Sequence, residues 1–461
     1  MMKVKNMTEG NTFKVLLFFA VPMILSVTIQ QLYNLADNFI AGNLITNLDS
    51  FNAVGIIYPI TVIFLDIAVG FGVGLSIIVA RLFGAKDYHK MKEAIHTGFI
   101  MMLILSFITT IIGLLIIRPL LSNMIKVSDG VGCFNEGLSY MIIYIFGVIF
   151  VFLYNFSMYI FQALGNSKTP LYFLIFSTIL NVFLDILFIK AFHMQANGLA
   201  LGTILSYGVA AILSFVILKK EITKINDETT AFNKALVKEI SIISIPSILQ
   251  GLFISIGGVL VVSILTHFGG NNVAGGYSAA YKICYIAINI FTVLCNALSS
   301  FVSQNIGAKK YERIKNGYLT TLILSLAFCI LATIVIYPFK EFWVRIFVNE
   351  DSVGDVSEII NSGMKFITCV VPFFILMVIK IPFDGLLKGS ADMLGFTLGT
   401  SIDLIFRVVF AYVLGSNFGY QGVFYAWPIG WFIGALISVL MTLSGRWKKI
   451  SGYNKSPIQN G

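Results

Sequence analysis

The sequence predicts an all-α membrane protein with twelve transmembrane helices in two pseudo-symmetric bundles of six. Three observations support this fold class: an apolar composition, twelve long apolar runs, and landmarks that recur in both halves of the chain. Of the 461 residues, 57% are hydrophobic and only 11% are charged. A globule in water cannot hide so much apolar surface, so we expect the chain to lie in a bilayer.

Each predicted helix is an apolar run of at least about 20 residues, the length that crosses a hydrocarbon core of about 30 Å. The runs begin near residues 13, 51, 94, 136, 169, 196, 239, 274, 317, 357, 393 and 420. Such runs are too long for the strands of a barrel. The first run has no small-residue cleavage site, which indicates a retained span rather than a signal peptide.

Three landmarks recur at nearly the same interval along the chain. The pairs are Pro22 with Pro246, Gly84 with Gly307, and Gly165 with Gly389. Each half then holds six spans, and because six is even, the halves run in the same direction through the membrane. We therefore predict lobes over residues 1–218 and 237–461, a polar cytoplasmic linker over 219–236, and a central cleft between the lobes.

The distribution of basic residues predicts the orientation of the chain. Most of the 31 Lys and Arg residues fall at the termini or in loops on the same side as the termini, which indicates that both termini are cytoplasmic. This topology accounts for the net charge of +9 and gives no reason to invoke nucleic acid. The low charge and simple cytoplasmic loops favour a multi-pass protein of a bacterial inner (plasma) membrane.

Motifs for enzymatic chemistry are missing from the sequence. The five cysteines and four histidines are scattered, with no spacing typical of a disulfide framework or a zinc site. The chain also has no HExxH motif, no Walker loop and no nucleophile elbow. We therefore expect neither an enzyme nor an ATP-driven pump, and no cofactor apart from a coupling ion.

Four polar residues of the first half predict an ion site. Asn181 and Asp185 share one face of the fifth span, and Thr203 lies early in the antiparallel sixth span. Asp37 lies late in the first span, at a similar depth. Their oxygens would suit Na⁺ as the bound metal ion, or crowded carboxyl groups would carry H⁺. The alternative is a hydrogen-bonded contact between helices, which would gain little from two acids.

Two further charged residues are candidates for a substrate cleft. Asp66 lies midway along the second span with no opposite charge near it in sequence, which fits a substrate contact or a packing role equally well. Lys282, early in the eighth span, either pairs with an acid across the cleft or extends its amine towards water.

The second half carries charges in its tenth and eleventh spans. Lys380 and Asp384 are four residues apart, as are Asp403 and Arg407, so each pair can form on one helix face. Lys380 and Asp384 are further candidates for the cleft, although we favour a structural role for both pairs because neutralised pairs are how a bundle tolerates charge.

A proline lies near the start of the first span of each half. Pro22 and Pro246 each remove one backbone hydrogen bond and should bend their helices. The sequence leaves open whether these bends are hinges or fixed packing kinks.

The order and spacing of these motifs resemble the multidrug and toxic compound extrusion (MATE) family over essentially the whole chain. The matching strings are AVPM at Pro22, LADNFIAG at Asp37, VARLFGAKD, QALGNSKTP, LNVFLD and VSQNIGAKK. Within the family, the chain resembles the DinF/MepA-like bacterial branch. This resemblance implies that Asp37, Asn181, Asp185 and Thr203 form the cation site of the N-terminal lobe, where ion binding is linked to movement of the first helix and drug release.

The second half departs from one branch of that family. NorM-type members carry carboxylates in spans seven and ten, whereas PSILQGLFISIGG has none and the matching part of span ten has Lys380. The resemblance therefore does not imply ion coupling through the C-terminal lobe.

We expect a secondary active multidrug exporter that works by alternating access and exchanges Na⁺ or H⁺ for amphiphilic, cationic drugs or dyes. The expected surroundings are the lipid bilayer, and the expected state is a monomer. The alternative is a lipid-linked oligosaccharide flippase of the same clan, which Lys282, Lys380 and Arg407 keep open because a pyrophosphate needs basic partners. A passive channel or scaffold would show no concentrative transport.

Overall fold

The helices of the first half coincide with the predicted apolar runs. The computed structural model describes residues 6–125, 130–224, 232–348 and 355–453. Its first six helices are α1 (Thr12–Leu44), α2 (Leu48–Gly84), α3 (Tyr88–Met124), α4 (Gly130–Ala163), α5 (Lys168–Lys190) and α6 (Gln195–Thr223). Every one of them contains a predicted run, and the residues described contain no strand.

The helices of the second half contain two interruptions that the sequence did not predict. The helices of this half are α7 (Lys234–Gly307), α8 (Tyr311–Ile336), α9 (Lys340–Arg345), α10 (Val356–Val370), α11 (Phe374–Gly389), α12 (Met393–Phe418), α13 (Tyr420–Leu443) and α14 (Arg446–Ser451). Gly270 breaks α7 with φ 73° and ψ −177°, a conformation open to glycine. A 3₁₀ turn at Val371–Phe373 separates α10 from α11 and contains Pro372, which cannot donate a backbone hydrogen bond.

The predicted number of spans agrees with the helices. Eleven helical segments among the described residues are long and apolar enough to cross a bilayer, with α10 and α11 counted as one segment. The long helix α7 covers the two runs predicted near residues 239 and 274, on either side of Gly270. The eleven segments therefore account for all twelve predicted spans.

The internal repeat is visible in the turns that end α2 and α7. Lys86 and Lys309 both have φ 58°, in the left-handed region. The Lys86 N–H donates to the Phe83 carbonyl at 3.1 Å, and the Lys309 N–H donates to the Ile306 carbonyl at 3.0 Å. Both helices therefore end with the same turn, as repeated segments should.

The described chain forms two compact units whose boundaries fall inside α1 and α7. Unit 1 contains Pro22–Gly251, and unit 2 contains Asn6–Val21 and Leu252–Gly461. These bounds differ from the predicted lobes, because residues 6–21 lie in unit 2 and residues 237–251 lie in unit 1. Residues 225–231 of the predicted linker lie outside the described residues.

Both boundaries lie at or close to a predicted proline bend. Pro22 is the first residue of unit 1 in α1, and Pro246 is five residues before the boundary in α7. The helices continue through both prolines. Their action as hinges stays a prediction.

Within unit 1, glycines allow α2 to approach the start of α7. A Cβ atom on Gly70 would lie 2.6 Å from the Ile248 backbone, which is closer than any side chain can come. One turn further along, the Ser244 hydroxyl of α7 donates to the Phe71 carbonyl at 3.4 Å. Gly70 and Gly74, four residues apart on α2, therefore mark a helix contact.

Candidate functional site

The helices α5 and α6 bring three of the predicted polar side chains together inside unit 1. Asn181 and Asp185 on α5 are 1% and 0% exposed, and Thr203 on α6 is buried as well. The Asn181 amide donates to the Asp185 carboxyl at 3.4 Å and to the Thr203 hydroxyl at 3.5 Å. The i, i+4 spacing on α5 thus places the amide and the acid on the face that meets α6.

The segment of α1 beyond Pro22 adds two side chains to this cluster. Tyr33 and Asp37 are four residues apart, and the Tyr33 hydroxyl lies 3.5 Å from that of Thr203. The Asp37 carboxyl lies within hydrogen-bonding reach of both the Tyr33 hydroxyl and the Asp185 carboxyl. All four predicted ion-site residues therefore lie in one cluster, and their role as an ion site stays a prediction.

Three oxygen atoms of this cluster lack a partner. Asp37 Oδ1, Asn181 Oδ1 and Asp185 Oδ2 are buried, and each accepts no hydrogen bond from the part of the chain that the structure describes. Neither acid forms an ion pair with a basic residue there. Buried polar atoms are normally satisfied, so these oxygens leave room for a proton or a cation.

The chemistry of the donor set fits both ions. Two carboxyl groups can share a hydrogen bond only if one of them holds a proton. Carboxylate, amide and hydroxyl oxygens are also the ligands of hard cations. The described residues contain no group of three or more His, Cys, Asp or Glu that could hold a metal ion.

Two further features of this cluster, besides Tyr33, were not identified from the sequence. A side chain at Gly202 of α6 would overlap the Asp185 carboxyl, so this glycine makes room for the acid. Tyr140 of α4 is buried close to both acids, and its ring stacks on Tyr144 with centroids 6.5 Å apart. The i, i+4 spacing of these tyrosines was a usable signal, but it does not say which face meets α1 and α5.

A second polar cluster lies in unit 2 and contains both predicted charge pairs. Lys380 Nζ lies 3.1 Å from Asp384 Oδ2, and Arg407 Nη2 donates to Asp403 Oδ1 at 2.6 Å. Lys380 Nζ is also 3.6 Å from Asp403 Oδ2. The two pairs are therefore one network of four charges on α11 and α12, almost entirely buried.

The helix α13 completes this network with residues that sequence reasoning missed. The Ser438 hydroxyl donates to Asp384 Oδ1 at 2.5 Å. A Cβ atom on Gly434 would lie 2.9 Å from Lys380 Cε, so this glycine leaves space for the lysine. The Arg407 guanidinium lies 4.2 Å from the centre of the Trp427 ring.

One further buried cation lies near this network and forms no ion pair among the described residues. Lys388 lies two turns beyond Lys380 on α11 and is 7% exposed. Its amine donates to the Asn296 amide oxygen at 2.6 Å and lies 5.3 Å from the centre of the Phe396 ring. The buried charges of α11 and α12 are therefore three basic and two acidic side chains.

The remaining cleft candidates, Asp66 and Lys282, lie in different units. Asp66 on α2 faces α7, since a Cβ atom on Gly251 would lie 3.2 Å from Asp66 Cβ. Lys282 is exposed, and its amine lies 5.4 Å from the centre of the Phe347 ring. Within the described ranges Lys282 forms no ion pair, so the predicted pairing with an acid is not observed there.

The amino-acid sequence is similar to that of a known protein family and of several named relatives. The MatE family model matches residues 22–187 and again 246–413, once in each half. The chain is 24% identical over 451 residues to the "Probable multidrug resistance protein YpnP" of Bacillus subtilis (strain 168), covering 97% of this chain and 98% of the relative. It is 23% identical to the "Multidrug export protein MepA" of Staphylococcus aureus (strain MRSA252), covering 94% of each.

Solved structures show the same fold. A crystal structure of MATE in complex with MaL6 superimposes with a TM-score of 0.89 at 23% identity, covering 99% of this chain and 100% of that one. A MOP superfamily transporter from Pyrococcus furiosus, described as having a binding pocket of reverse polarity, also gives 0.89, at 22% identity and 99% coverage of each chain. The predicted fold class is thus confirmed, and the chain belongs to the MatE family of multidrug efflux transporters, which are multi-pass membrane proteins and not enzymes.

Proposed function

We propose that this protein is a secondary active exporter that exchanges Na⁺ or H⁺ for amphiphilic, cationic compounds. The observation that carries the proposal is the set of unpartnered oxygens of Asp37, Asn181 and Asp185 in unit 1. The relatives named as multidrug resistance and multidrug export proteins support small-molecule drugs as the exported class.

The coupling-ion site consists of Asp37, Asn181, Asp185 and Thr203. Two acids with buried oxygens and no basic partner among the described residues are expensive inside a membrane protein, and such groups usually mark an ion pathway. A proton shared between Asp37 and Asp185, or a Na⁺ bound by the same oxygens, would remove that cost. Coupling then requires that ion and drug have different affinities for the two transport states.

The preference for cationic compounds follows from the acids of unit 1. Asp37 and Asp185 can attract a positive group with the Tyr140 ring near both of them, and Asp66 is a third acid on α2. Neutralising all three acids should abolish the export of cations while leaving the fold intact. Unchanged export of a cationic dye by the triple variant would refute this specificity.

The surroundings of the protein are part of the proposal. Both termini are cytoplasmic, the membrane is the plasma membrane of a bacterium, and the transporting species is a monomer that needs no cofactor besides its ion. The bias of Lys and Arg towards the terminal side supports this orientation.

A flippase of lipid-linked oligosaccharides is the second candidate function. It is favoured by the excess of basic over acidic side chains among the buried charges of α11 and α12, where Lys388 forms no ion pair with any described residue. A pyrophosphate would need such basic partners. This function predicts no gradient-driven movement of small dyes.

Transport by the purified protein in liposomes tests these alternatives. Accumulation of a cationic dye is measured first under an imposed Na⁺ gradient and then under a pH gradient, for the native chain and for Asp37→Asn. We expect one gradient to drive accumulation and the substitution to abolish it. Native accumulation that survives Asp37→Asn would move the coupling site elsewhere, and no accumulation under either gradient would favour the flippase.

A further inference from the structure

The residues before α1 form a folded segment in unit 2. This N-terminal strap comprises residues 6–11. Met7 and Thr8 are 0% and 3% exposed although neither lies in a helix. The Asn6 side-chain oxygen accepts from the Thr8 hydroxyl at 2.6 Å, and the Asn11 side chain caps α1 through the Lys14 N–H at 3.1 Å.

Arg313, near the start of α8, binds the strap through both terminal nitrogens of its guanidinium group. Nη1 donates to the Gly10 carbonyl at 2.9 Å, and Nη2 lies 3.3 Å from both the Met7 and the Glu9 carbonyls. Nε donates to the Asn305 side chain at 3.2 Å. Only arginine offers donors in this fixed fork, so a lysine would not reproduce the contact.

Three other side chains hold the same segment, two near the end of α7 and one directly before α8. The Met7 N–H donates to Gln304 at 3.0 Å, and the Lys310 amine donates to the Thr8 carbonyl at 2.9 Å. Asn305 donates to the Met7 carbonyl at 3.4 Å. We call Gln304, Asn305, Lys310 and Arg313 the strap clamp.

Comparison of the two repeats shows that the clamp residues are not simply part of the turn that ends the helix. The turn at Gly307 has the same geometry as the turn at Gly84, so corresponding positions can be compared directly. The residues of the first half at the four clamp positions are Arg81, Leu82, Asp87 and Lys90. The turn recurs in the two halves, whereas the clamp residues occur only where the strap binds.

The start of α7 in unit 1 has a simpler attachment of the same kind. Asn233 directly precedes α7, as Asn11 precedes α1. Its backbone N–H donates to the Thr97 hydroxyl at 3.1 Å, and its amide donates to Glu93 at 3.1 Å, both on α3. Each helix that changes units is therefore fastened where it begins.

We propose that the strap clamp is a positioning device for ion-coupled export, with Arg313 as its central positioning residue. It fixes the start of α1 in unit 2, while the segment beyond Pro22 carries Tyr33 and Asp37 in unit 1. With the start of α1 held in unit 2, a displacement of Asp37 has to be accommodated within α1, and Pro22, which lacks a backbone donor, lies between the clamp and Asp37. This inference rests on the proposed coupling function of Asp37.

The test compares Arg313→Gln with a matched control in liposomes. Lys315→Gln removes the same charge from the same end of α8, and Lys315 is exposed and forms no contact with the strap among the described residues. Arg313→Lys keeps the positive charge but loses the planar set of guanidinium N–H donors. Three quantities are measured: gradient-driven dye accumulation, dye exchange without a gradient, and amide hydrogen exchange of residues 7–11.

We expect Arg313→Gln to reduce gradient-driven accumulation by about five- to tenfold, because several charge-assisted hydrogen bonds are lost. Exchange without a gradient should stay within about twofold, and the strap amides should exchange faster. Arg313→Lys should behave like Arg313→Gln, and Lys315→Gln like the native chain. A variant lacking residues 2–9 should show the same defect, and adding Arg313→Gln to it should cause no further loss.

Three results would overturn the inference. Accumulation that is unchanged although the strap amides exchange faster would show that the clamp is only a structural attachment. Equal loss of accumulation and gradient-free exchange, or full rescue by Arg313→Lys, would show damage to the fold or a simple charge effect. If the native chain itself shows no gradient-driven accumulation, the proposed function fails first, and the inference fails with it.

Discussion

At the scale of single residues, the unpartnered oxygens around Asp37 and Asp185 determine how ions should affect stability. If Na⁺ binds there, it stabilises the native state, by about 1.4 kcal/mol at ten times its Kd. Adding Na⁺ in place of K⁺ should then raise the Tm of the detergent-solubilised protein. If H⁺ is the ion, lowering the pH from 8 to 6 should raise the Tm instead, because protonation relieves repulsion between the two carboxylates.

The variants Asp37→Asn and Asp185→Asn are the controls for this effect. Each removes one of the two charges, so the response of the Tm to the coupling ion should disappear in both. A Tm of the native chain that responds to neither Na⁺ nor pH, measured by thermal unfolding, would contradict an ion site at these residues.

Lys380 allows a different prediction, because its amine contacts two acids of unit 2. Lys380→Met leaves Asp384 and Asp403 buried with only Arg407 as a cation, and breaking a buried pair typically costs about 3–5 kcal/mol. We expect a large fall in Tm, most of which the double variant Lys380→Met/Asp384→Leu should restore. Arg345→Gln, which breaks the exposed pair with Glu341, should change the Tm little. Equal effects of the buried and exposed substitutions would contradict the network.

The sequence allowed four members of the unit 1 cluster to be predicted, because an acid or amide in an apolar run is conspicuous. Tyr33, Tyr140 and Gly202 were missed for a physical reason. Tyrosines and glycines are common in membrane helices, and only the packing of α1, α4 and α6 shows which of them lie near Asp185. The partner of a buried charge is thus harder to predict than the charge itself.

At the scale of helices, the contact of α5 with α6 depends on Gly202. Because a Cβ atom there would overlap the Asp185 carboxyl, Gly202→Ala should displace the acid and reduce gradient-driven transport by about tenfold or more. Gly208→Ala on the same helix is the matched control, since its Cβ atom would meet Phe150 at 3.4 Å, an ordinary contact. Dye accumulation in liposomes measures both variants. Full activity of Gly202→Ala would show that the position of Asp185 is not critical.

The starts of the membrane helices were predictable from apolar runs, whereas their interruptions were not. The break at Gly270 and the 3₁₀ turn at Val371–Phe373 lie inside continuous apolar sequence. A lone glycine or proline is compatible with a straight membrane helix, because neighbouring helices can satisfy the freed backbone groups. Composition therefore locates spans, and tertiary contacts decide where they bend.

At the scale of the whole molecule, the repeat was visible in the sequence, but the division into compact units was not. The most polar stretch, residues 219–236, marks the join between repeats because it needs no lipid contact. The boundaries between the compact units instead lie inside α1 and α7, because the first part of each helix packs with the other repeat. Composition carries no signal for this exchange, since both parts of each helix are apolar.

The direction of the repeats through the membrane leads to a labelling experiment. If each half has six spans and the termini are cytoplasmic, the turns at Ala85 and Lys309 face the cytoplasm, and those at Ala191 and Asn417 face outward. All four residues are exposed, so single cysteines there should react freely in a background without the five native cysteines. A membrane-impermeant maleimide applied to intact cells should label Ala191→Cys and Asn417→Cys at once, and the other two only after permeabilisation. If intact cells label one of Ala85 and Lys309 and one of Ala191 and Asn417, the two halves are antiparallel. If they label Ala85 and Lys309 but neither Ala191 nor Asn417, the termini lie outside.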